Sequence, residues 1–365
     1  MLKLGEAMIQ QQNLFKMDDE LLLAVAGSGK TRRIVNEVCS SDKKIAVLTY
    51  TISNTDNLSN RIISKYGNIP HNIKLIPWFT FLLRHLIKPY HNFVTEAKIK
   101  GIHFVQSKSA VKYSFEKNGR KIDVVYKEDG EFDQHYFDIK GNVYSDKLSK
   151  LSLRINVKSE ERVIRRLEEL FDVIYIDEVQ DLASHDLDII KLLLKSKIVL
   201  KMVGDPRQVT YLTHNSGMYK KYKDGKIDQF INDKCRKFRE IVNRNELVGS
   251  FRCNEAICNF ASLVYPDLEK LESKSESHHD HEGVFRIKPN KVNEYILRYQ
   301  AVQLRHSKAM KVSENSDVFS FGISKGLTFG HVIIYPTQPY LDWLIDQNSK
   351  LESLSRSKLY VAITR

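Results

Sequence analysis

The chain has 365 residues, a hydrophobic share of 42% and a formal charge of +12, which is length enough for two or three domains that each bury a core. No apolar stretch reaches the ~20 residues of a membrane span, and the acidic residues Glu6, Asp18 and Asp19 near the start do not fit a secretory leader, so an intracellular, cytoplasmic protein with no membrane partner is expected. The basic excess says nothing about fold but predicts a polyanionic partner, nucleic acid ahead of a membrane surface.

In chain order, the first informative segment is the apolar run Leu21, Leu22, Leu23 followed by Ala-Val-Ala-Gly-Ser-Gly-Lys-Thr at 24–31. A strand, a glycine loop and a helix start together predict a nucleoside-triphosphate site. Ala26, Gly27, Ser28 and Gly29 would curl backbone N–H groups around anionic oxygens. Lys30 would place its charge on the β- and γ-phosphates, and Thr31 would offer its hydroxyl to Mg2+. The loop opens on Ala24, where the usual pattern has Gly.

Between His103 and Asp146, apolar and polar residues alternate, as in 121–126 and 135–139, with Gly119, Gly130 and Gly141 at hairpin spacing. A small strand-rich insertion is expected there. The run Phe-Asp-Val-Ile-Tyr-Ile-Asp-Glu-Val-Gln-Asp at 171–181 suits a strand buried on both faces of a parallel sheet and ending in acids. Acids at that end of a strand lie in the crevice where α/β sheets bind ligands. Asp177 would hold Mg2+ through water and Glu178 would polarise an attacking water. A further buried strand, 198–203, leads to a loop carrying Asp205, Gln208 and Tyr211, from which a glutamine can reach a γ-phosphate.

Three other clusters stand out. Cys39, Cys235, Cys253 and Cys258 have no CxxC pairing, which predicts idle thiols in a reducing compartment. The His-His-Asp-His-Glu run at 278–282 sits in a polar stretch and is read as a loop rather than a metal site. Residues 220–244 carry nine Lys and Arg, from Lys220 to Arg244, interleaved with Tyr222, Phe230 and Phe238. They suit either a solvated helix face or a phosphate-backbone track.

Ala-x-x-Gly-x-Gly-Lys-Thr, Asp-Glu-x-Gln-Asp and Gly-Asp-x-x-Gln in this order resemble the superfamily 1 helicases of the UvrD/Rep type. Leu48-Thr49-Tyr50-Thr51 resembles the family motif that grips single-stranded DNA, and Trp78-Phe79-Thr80-Phe81 with Arg84 resembles the next DNA-contacting one. Ser250-Phe251-Arg252, then 324–329 with Val332-Ile333-Ile334, and finally Leu359-Tyr360-Val361-Ala362-Ile363-Thr364-Arg365 are similar to the remaining motifs. The resemblance implies an α/β fold of two RecA-like parallel-sheet lobes, a P-loop NTPase, with ATP and Mg2+ in the cleft between them.

On that resemblance the first lobe supplies Lys30, Thr31, Asp177, Glu178 and Gln208, and the second supplies the arginine fingers Arg252 and Arg365. The DNA contacts it implies are Thr49, Tyr50, Thr51, Trp78, Phe79, Arg84, Tyr211 and Lys325. Trp78, Phe79, Tyr50 and Tyr211 suit base stacking and a core equally. Gln10, in the run Gln10-Gln11-Gln12, is the adenine-reading candidate. Thr328 stands where the family has a ribose-binding Glu, and Thr213 where it has a base-stacking aromatic.

The domains expected are lobe 1A over 1–93 and 152–242, the insertion over 94–151 at the 1B position, and lobe 2A over 243–365. A short insertion at about 266–312 replaces 2B, because only about seventy residues separate Arg252 from Lys325. Relatives continue past the last motif, so lobe 2A is expected to be incomplete at Arg365, either because the reading frame is longer or because a protein partner completes or regulates the lobe. If Arg365 is the natural terminus, its α-carboxylate partly offsets the finger's charge.

The function implied is an ATP-dependent DNA helicase or translocase moving 3′ to 5′ on single-stranded DNA or 3′-tailed duplex, with strand tracking expected ahead of duplex unwinding. The alternative is a nucleotide-gated DNA-binding switch that recruits or releases a partner.

Overall fold

Apolar runs that alternate between two buried faces build the larger sheet of the computed structural model, which describes residues 18–105, 108–211, 213, 218–276 and 281–365. Its strands begin with β1 (Glu20–Leu23), β2 (Ile45–Thr49) and β3 (Ile73–Pro77). Two separate pairs follow, made of β4 (Gly101–His103), β5 (Val111–Lys117), β6 (Arg120–Val125) and β7 (Asn142–Tyr144). The chain returns to the sheet with β8 (Val173–Asp177), β9 (Val199–Gly204) and β10 (Val242–Asn243). The order is β10-β1-β9-β8-β2-β3, with every pairing parallel.

Side chains of successive strand residues point to opposite faces, and here both faces are covered. Leu21, Leu23, Ala46, Leu48, Ile174, Ile176, Leu200 and Met202 join one core, whereas Leu22, Ile45, Val47, Val173, Tyr175 and Val203 join the other. Helices Lys30–Cys39 and Ile52–Tyr66 cover the second face through Ile34, Val35, Val38, Leu58 and Ile62. Helices Leu148–Lys158, Arg162–Leu170 and His185–Leu194 cover the first.

A smaller α/β part follows. β11 (Gly249–Ser250) pairs in parallel with β12 (Glu272–Ser273), and β13 (Val302–Arg305), β14 (Val318–Ser320) and β15 (Val332–Ile334) form a parallel sheet in the order β14-β13-β15. Its core, with Phe321, Tyr340, Trp343 and Tyr360, also takes in Val25 and Ala26 from the loop after β1. The glycine loop is therefore packed against the second part as well as the first. The fold is α/β with parallel-strand sheets. Among the described residues no helix is long and apolar enough to cross a membrane.

In the segment between β3 and β8, β5 and β6 form an antiparallel hairpin turned by Asn118 and Gly119, both at positive φ (52° and 68°), the conformation that tight hairpin turns require. The alternating stretch 135–139 is not a strand. Phe132–Tyr136 is helical, because His135 and Tyr136 are both buried, the former bonded to the Tyr126 carbonyl and the latter to Glu128 (2.7 and 2.8 Å). Consecutive residues of a strand would face opposite ways. Helix Leu148–Lys158 runs unbroken across the 151/152 boundary expected from sequence.

Trp78 corrects another expectation. Its side chain is 1% exposed, and its indole N–H donates to Asp186 at 3.1 Å, so no ring face is open to a base. Trp78→Ala is expected to destabilise the fold by about 3–5 kcal/mol, measurable as a drop in the urea midpoint. A midpoint shift under about 1 kcal/mol would place the ring outside the core.

Candidate active site

Backbone conformation shapes the glycine loop before any side chain does. Gly27 and Gly29 have φ of +72° and +92°, and helix Lys30–Cys39 starts directly on Gly29. A Cβ at Gly27 would come within 2.5 Å of Ser250 Oγ and 2.7 Å of Arg252 Cβ, so only glycine fits against the second part there. Ser28 Oγ donates to the Val25 carbonyl (2.8 Å), and Lys30 Nζ donates to the same oxygen (2.9 Å). Burial lowers the Lys30 pKa, while Asp205, Glu178 and Asp177 act to raise it. Thr31 is the second residue of that helix.

The acids sit where β8 ends. Asp177 is its last residue, and Glu178 follows at φ +56°, a left-handed turn that folds its carboxylate back into the site. Three carboxylates share two lysines here. Burial, then repulsion from Glu178, pushes Asp177 up to about 7; burial also lifts Asp181 to about 7 against the pull of Lys325. Burial acts to raise Glu178 too, but Lys325 and Lys30 outweigh it and hold that group at about 2. Lys325 Nζ lies 2.7 Å from Asp181 and 3.3 Å from Glu178. Burial would lower its pKa, but the two carboxylates raise it.

A carboxyl whose native pKa is raised penalises folding once the unfolded chain ionises first. For Asp177 that loss begins near pH 3.8, the unfolded value, and is complete above about 7. Asp177→Asn is therefore expected to lose less stability than the parent between pH 4.5 and 7.5. Paired thermal melts across this range measure the difference, and parallel pH profiles would contradict it.

The second part reaches in from the opposite side. Arg365 is buried; its guanidinium donates to Gln208 Oε1 (2.9 Å), the Val361 carbonyl (2.9 Å) and the Leu327 carbonyl (3.3 Å). Gln208 Nε2 in turn donates to Asp205 (2.8 Å). Arg252 donates to the Thr364 carbonyl (3.0 Å), and the Phe251 N–H donates to the Gly27 carbonyl (2.9 Å). Burial, followed by repulsion from Arg252, brings Arg365 down to about 10. Lys30, Asp177, Glu178, Gln208, Arg252 and Arg365 thus meet at one seam, and Thr31 follows Lys30 in the helix.

Several residues join this seam that sequence reasoning gave no role. Gln180 accepts the Asp205 N–H (3.0 Å) and donates to Glu178; Asp181 receives Lys325. Both stand inside the Asp-Glu-x-Gln-Asp motif, which was the available signal. The buried Tyr360 hydroxyl lies between the Ala26 N–H and Asp205, at 3.4 Å from each. Nothing in the sequence marks that residue beyond its place in the last motif. Arg61 lines a cleft of about 770 Å³ between helices Lys30–Cys39 and Ile52–Tyr66, and after burial it adds to the lowering of Arg252.

The expected DNA contacts divide. Lys325 is corrected from a strand contact to a buried ion pair, because Asp181 and Glu178 hold its ammonium. Thr49 is corrected likewise; it is buried, with Oγ1 2.6 Å from Thr55 Oγ1. Thr51 is exposed, and its hydroxyl caps the following helix by accepting the Asn54 N–H. Tyr50 and Phe79 are half-buried with ring centroids 6.0 Å apart, Arg84 is exposed, and Tyr211 is 46% exposed. In 220–244 the cations lie mostly outward, with Lys221 paired to Asp233 and Arg244 to Asp228, but Tyr222, Phe230 and Phe238 are core. Those three rings therefore leave the nucleic-acid reading.

Gln10 and residues 278–280 lie outside the described residues. Among the described residues no group of three or more His, Cys, Asp or Glu is placed to hold a metal ion. Thr31 and Asp177 instead offer hard oxygen donors of the kind Mg2+ takes alongside substrate phosphates. All four cysteines are free.

No curated protein matches the chain. Among solved structures it is similar to a PRRSV helicase (14% identity, 95% of this chain and 50% of that chain covered, TM-score 0.41). It is similar at the same identity to an arterivirus nonstructural protein 10 helicase (95% and 57% covered, TM-score 0.43). A third similar structure is that arterivirus protein in complex with DNA (14% identity, 95% and 58% covered, TM-score 0.44). The chain thus spans between 50% and 58% of the length of these helicases. Residues 88–218 match a family model, a stretch that holds Asp177, Glu178, Gln208 and Tyr211 but begins after the glycine loop. Over that stretch the chain is similar to the UvrD/REP helicase N-terminal domain.

Proposed function

We propose that this chain is an ATP-driven DNA helicase or translocase that moves 3′ to 5′ on single-stranded DNA. One observation carries the proposal: Gln208, behind β9, is bonded to Arg365 of the second part at a seam that also contains Lys30 and Glu178. Residues 1–93 and 152–242 would form one RecA-like lobe and 243–365 the other, with 94–151 as an insertion in the first and about 266–312 as a short one in the second.

In this account Lys30 exchanges the Val25 carbonyl for β- and γ-phosphate oxygens, and the loop N–H groups bind the same anion. Thr31 and Asp177 would hold Mg2+, which when bound neutralises charge on the phosphates. Glu178, kept ionised by Lys325 and Lys30, orients the attacking water. Gln208 senses the γ-phosphate, and Arg252 with Arg365 offsets charge that builds on the transferred group. Because those arginines come from the opposite wall, hydrolysis depends on closure of the seam. Opening and closing would then move nucleic-acid grips on the two lobes relative to each other.

Tyr50, Phe79, Arg84 and Tyr211 are the side chains retained as strand contacts, with Thr51 beside them. The outward Lys and Arg of 220–244 would add backbone contacts, giving an affinity that falls with salt at a slope near −0.7 per phosphate neutralised. An affinity flat in salt would remove this role.

The proposal is tested by steady-state ATP turnover with and without oligothymidine. Turnover should rise on adding the strand; equal turnover would contradict a nucleic-acid motor. One observation favours the switch as a second reading. Thr213 is buried and bonded to Ala183 and Asp181 backbone groups, so it replaces a base-stacking ring without supplying a stack.

A further inference from the structure

Phe104 belongs to none of the motifs that carry the family resemblance, and its side chain is 66% exposed. A loose surface phenylalanine would be unremarkable, but this one is held on both sides. Before it, His103 pairs with Tyr144 between β4 and β7 and its ring bonds Asp138 (2.9 Å). After it, the Val105 N–H donates to Ser145 Oγ (3.2 Å). The ring meets Phe79 edge to face with centroids 5.6 Å apart, and Phe79 in turn meets Tyr50 at 6.0 Å. Tyr211 packs on Gly322 of the second part, where an added Cβ would strike its ring.

A row of three rings therefore runs from Tyr50 to Phe79 and ends in the open at Phe104. Its steps of 5.6 and 6.0 Å exceed the about 3.4 Å rise of stacked DNA, so it suits a strand whose bases are splayed apart. The cationic excess of the chain favours a polyanion over an apolar peptide as the occupant. Stacking on such rings is tolerant of sequence because every base offers a π-face.

We propose that Phe104 is a base-stacking residue for single-stranded nucleic acid, forming the outer end of the aromatic row it makes with Phe79 and Tyr50. The assignment rests on the nucleic-acid reading above and adds to it a contact from the segment between β3 and β8. It also supplies a stack in a chain that has Thr213 where relatives of the resembled type have a ring.

Fluorescence gives a direct test, because the two native indoles, Trp78 and Trp343, are both buried. In Phe104→Trp the introduced indole is the exposed reporter, and titration with oligothymidine should quench its emission as the complex forms. Phe104→Ala should weaken oligothymidine binding about tenfold or more, at unchanged slope of affinity against salt, since no phosphate contact is lost. Ile139→Ala, which removes a fully exposed apolar side chain of the same segment, should bind like the parent. Thermal melts check that each variant is folded. Oligothymidine binding that leaves the introduced indole unquenched, or a folded Phe104→Ala variant with parental affinity, would overturn the assignment while sparing the broader reading. A parent protein that does not bind the strand at all would remove both.

Discussion

Replacing Lys30 by alanine is expected to lower ATP turnover by about 10²-fold or more while leaving the fold intact. Its ammonium donates to the Val25 carbonyl of the loop (2.9 Å) and feels the charges of Asp205, Glu178 and Asp177. Preorganised charge aimed at a developing anion in a dry site typically contributes a factor of about 10²–10³. Burial already costs the ammonium some of its proton affinity, so its loss removes a strained cation as well as a hydrogen bond. Stability should accordingly change little. Turnover measured beside a thermal melt separates the two effects, and near-parental turnover by a folded variant would refute the nucleotide site.

The second large effect is expected at Arg365. Arginine fingers supplied from a facing element are worth about 10³–10⁵ in phosphoryl-transfer rate, and Arg365→Ala should reduce turnover within that range. Nucleotide affinity should fall far less, because the loop and Lys30 remain. Arg365→Lys should recover little, since a point-like ammonium cannot bond Gln208, the Val361 carbonyl and the Leu327 carbonyl together. Truncation also leaves the buried Gln208 carbonyl oxygen without this donor, which costs about 1–3 kcal/mol of stability. Comparison of kcat with nucleotide Kd decides the matter. An alanine variant that binds weakly but turns over normally once saturated would make Arg365 a binding residue instead.

Much of this was legible in the sequence for local reasons. Leu21 to Leu23 and the 173–177 run are apolar at every position, as strands buried on both faces must be, and the structure buries their alternate side chains in two separate cores. Gly27 and Gly29 stand where positive φ is needed, so the loop could be read without knowing what it packs against. What stayed illegible depends on distant partners. Lys325 meets Asp181 across 144 positions, and its motif alone does not distinguish an ion pair from a phosphate contact.

Aromatic residues carry the same ambiguity. Trp78 is core and Phe104 is open, yet only the first lies in a segment resembling a DNA motif. The helix at Phe132–Tyr136 is not legible in the sequence because residues alternating in polarity at 135–139 imitate a strand, and the bonds that fix it, from Tyr136 to Glu128 and from His135 to Tyr126, reach residues outside the helix.

The central claim is that ATP consumed at the seam drives travel along one strand. The most direct measurement is displacement of streptavidin from biotinylated single-stranded DNA, with the biotin at either the 5′ or the 3′ end. With ATP, the parent protein should strip streptavidin from the 5′ end and leave the 3′ end blocked, and Lys30→Ala should strip neither. Strand-stimulated ATP turnover without displacement at either end would contradict the motor and leave a nucleotide-gated switch.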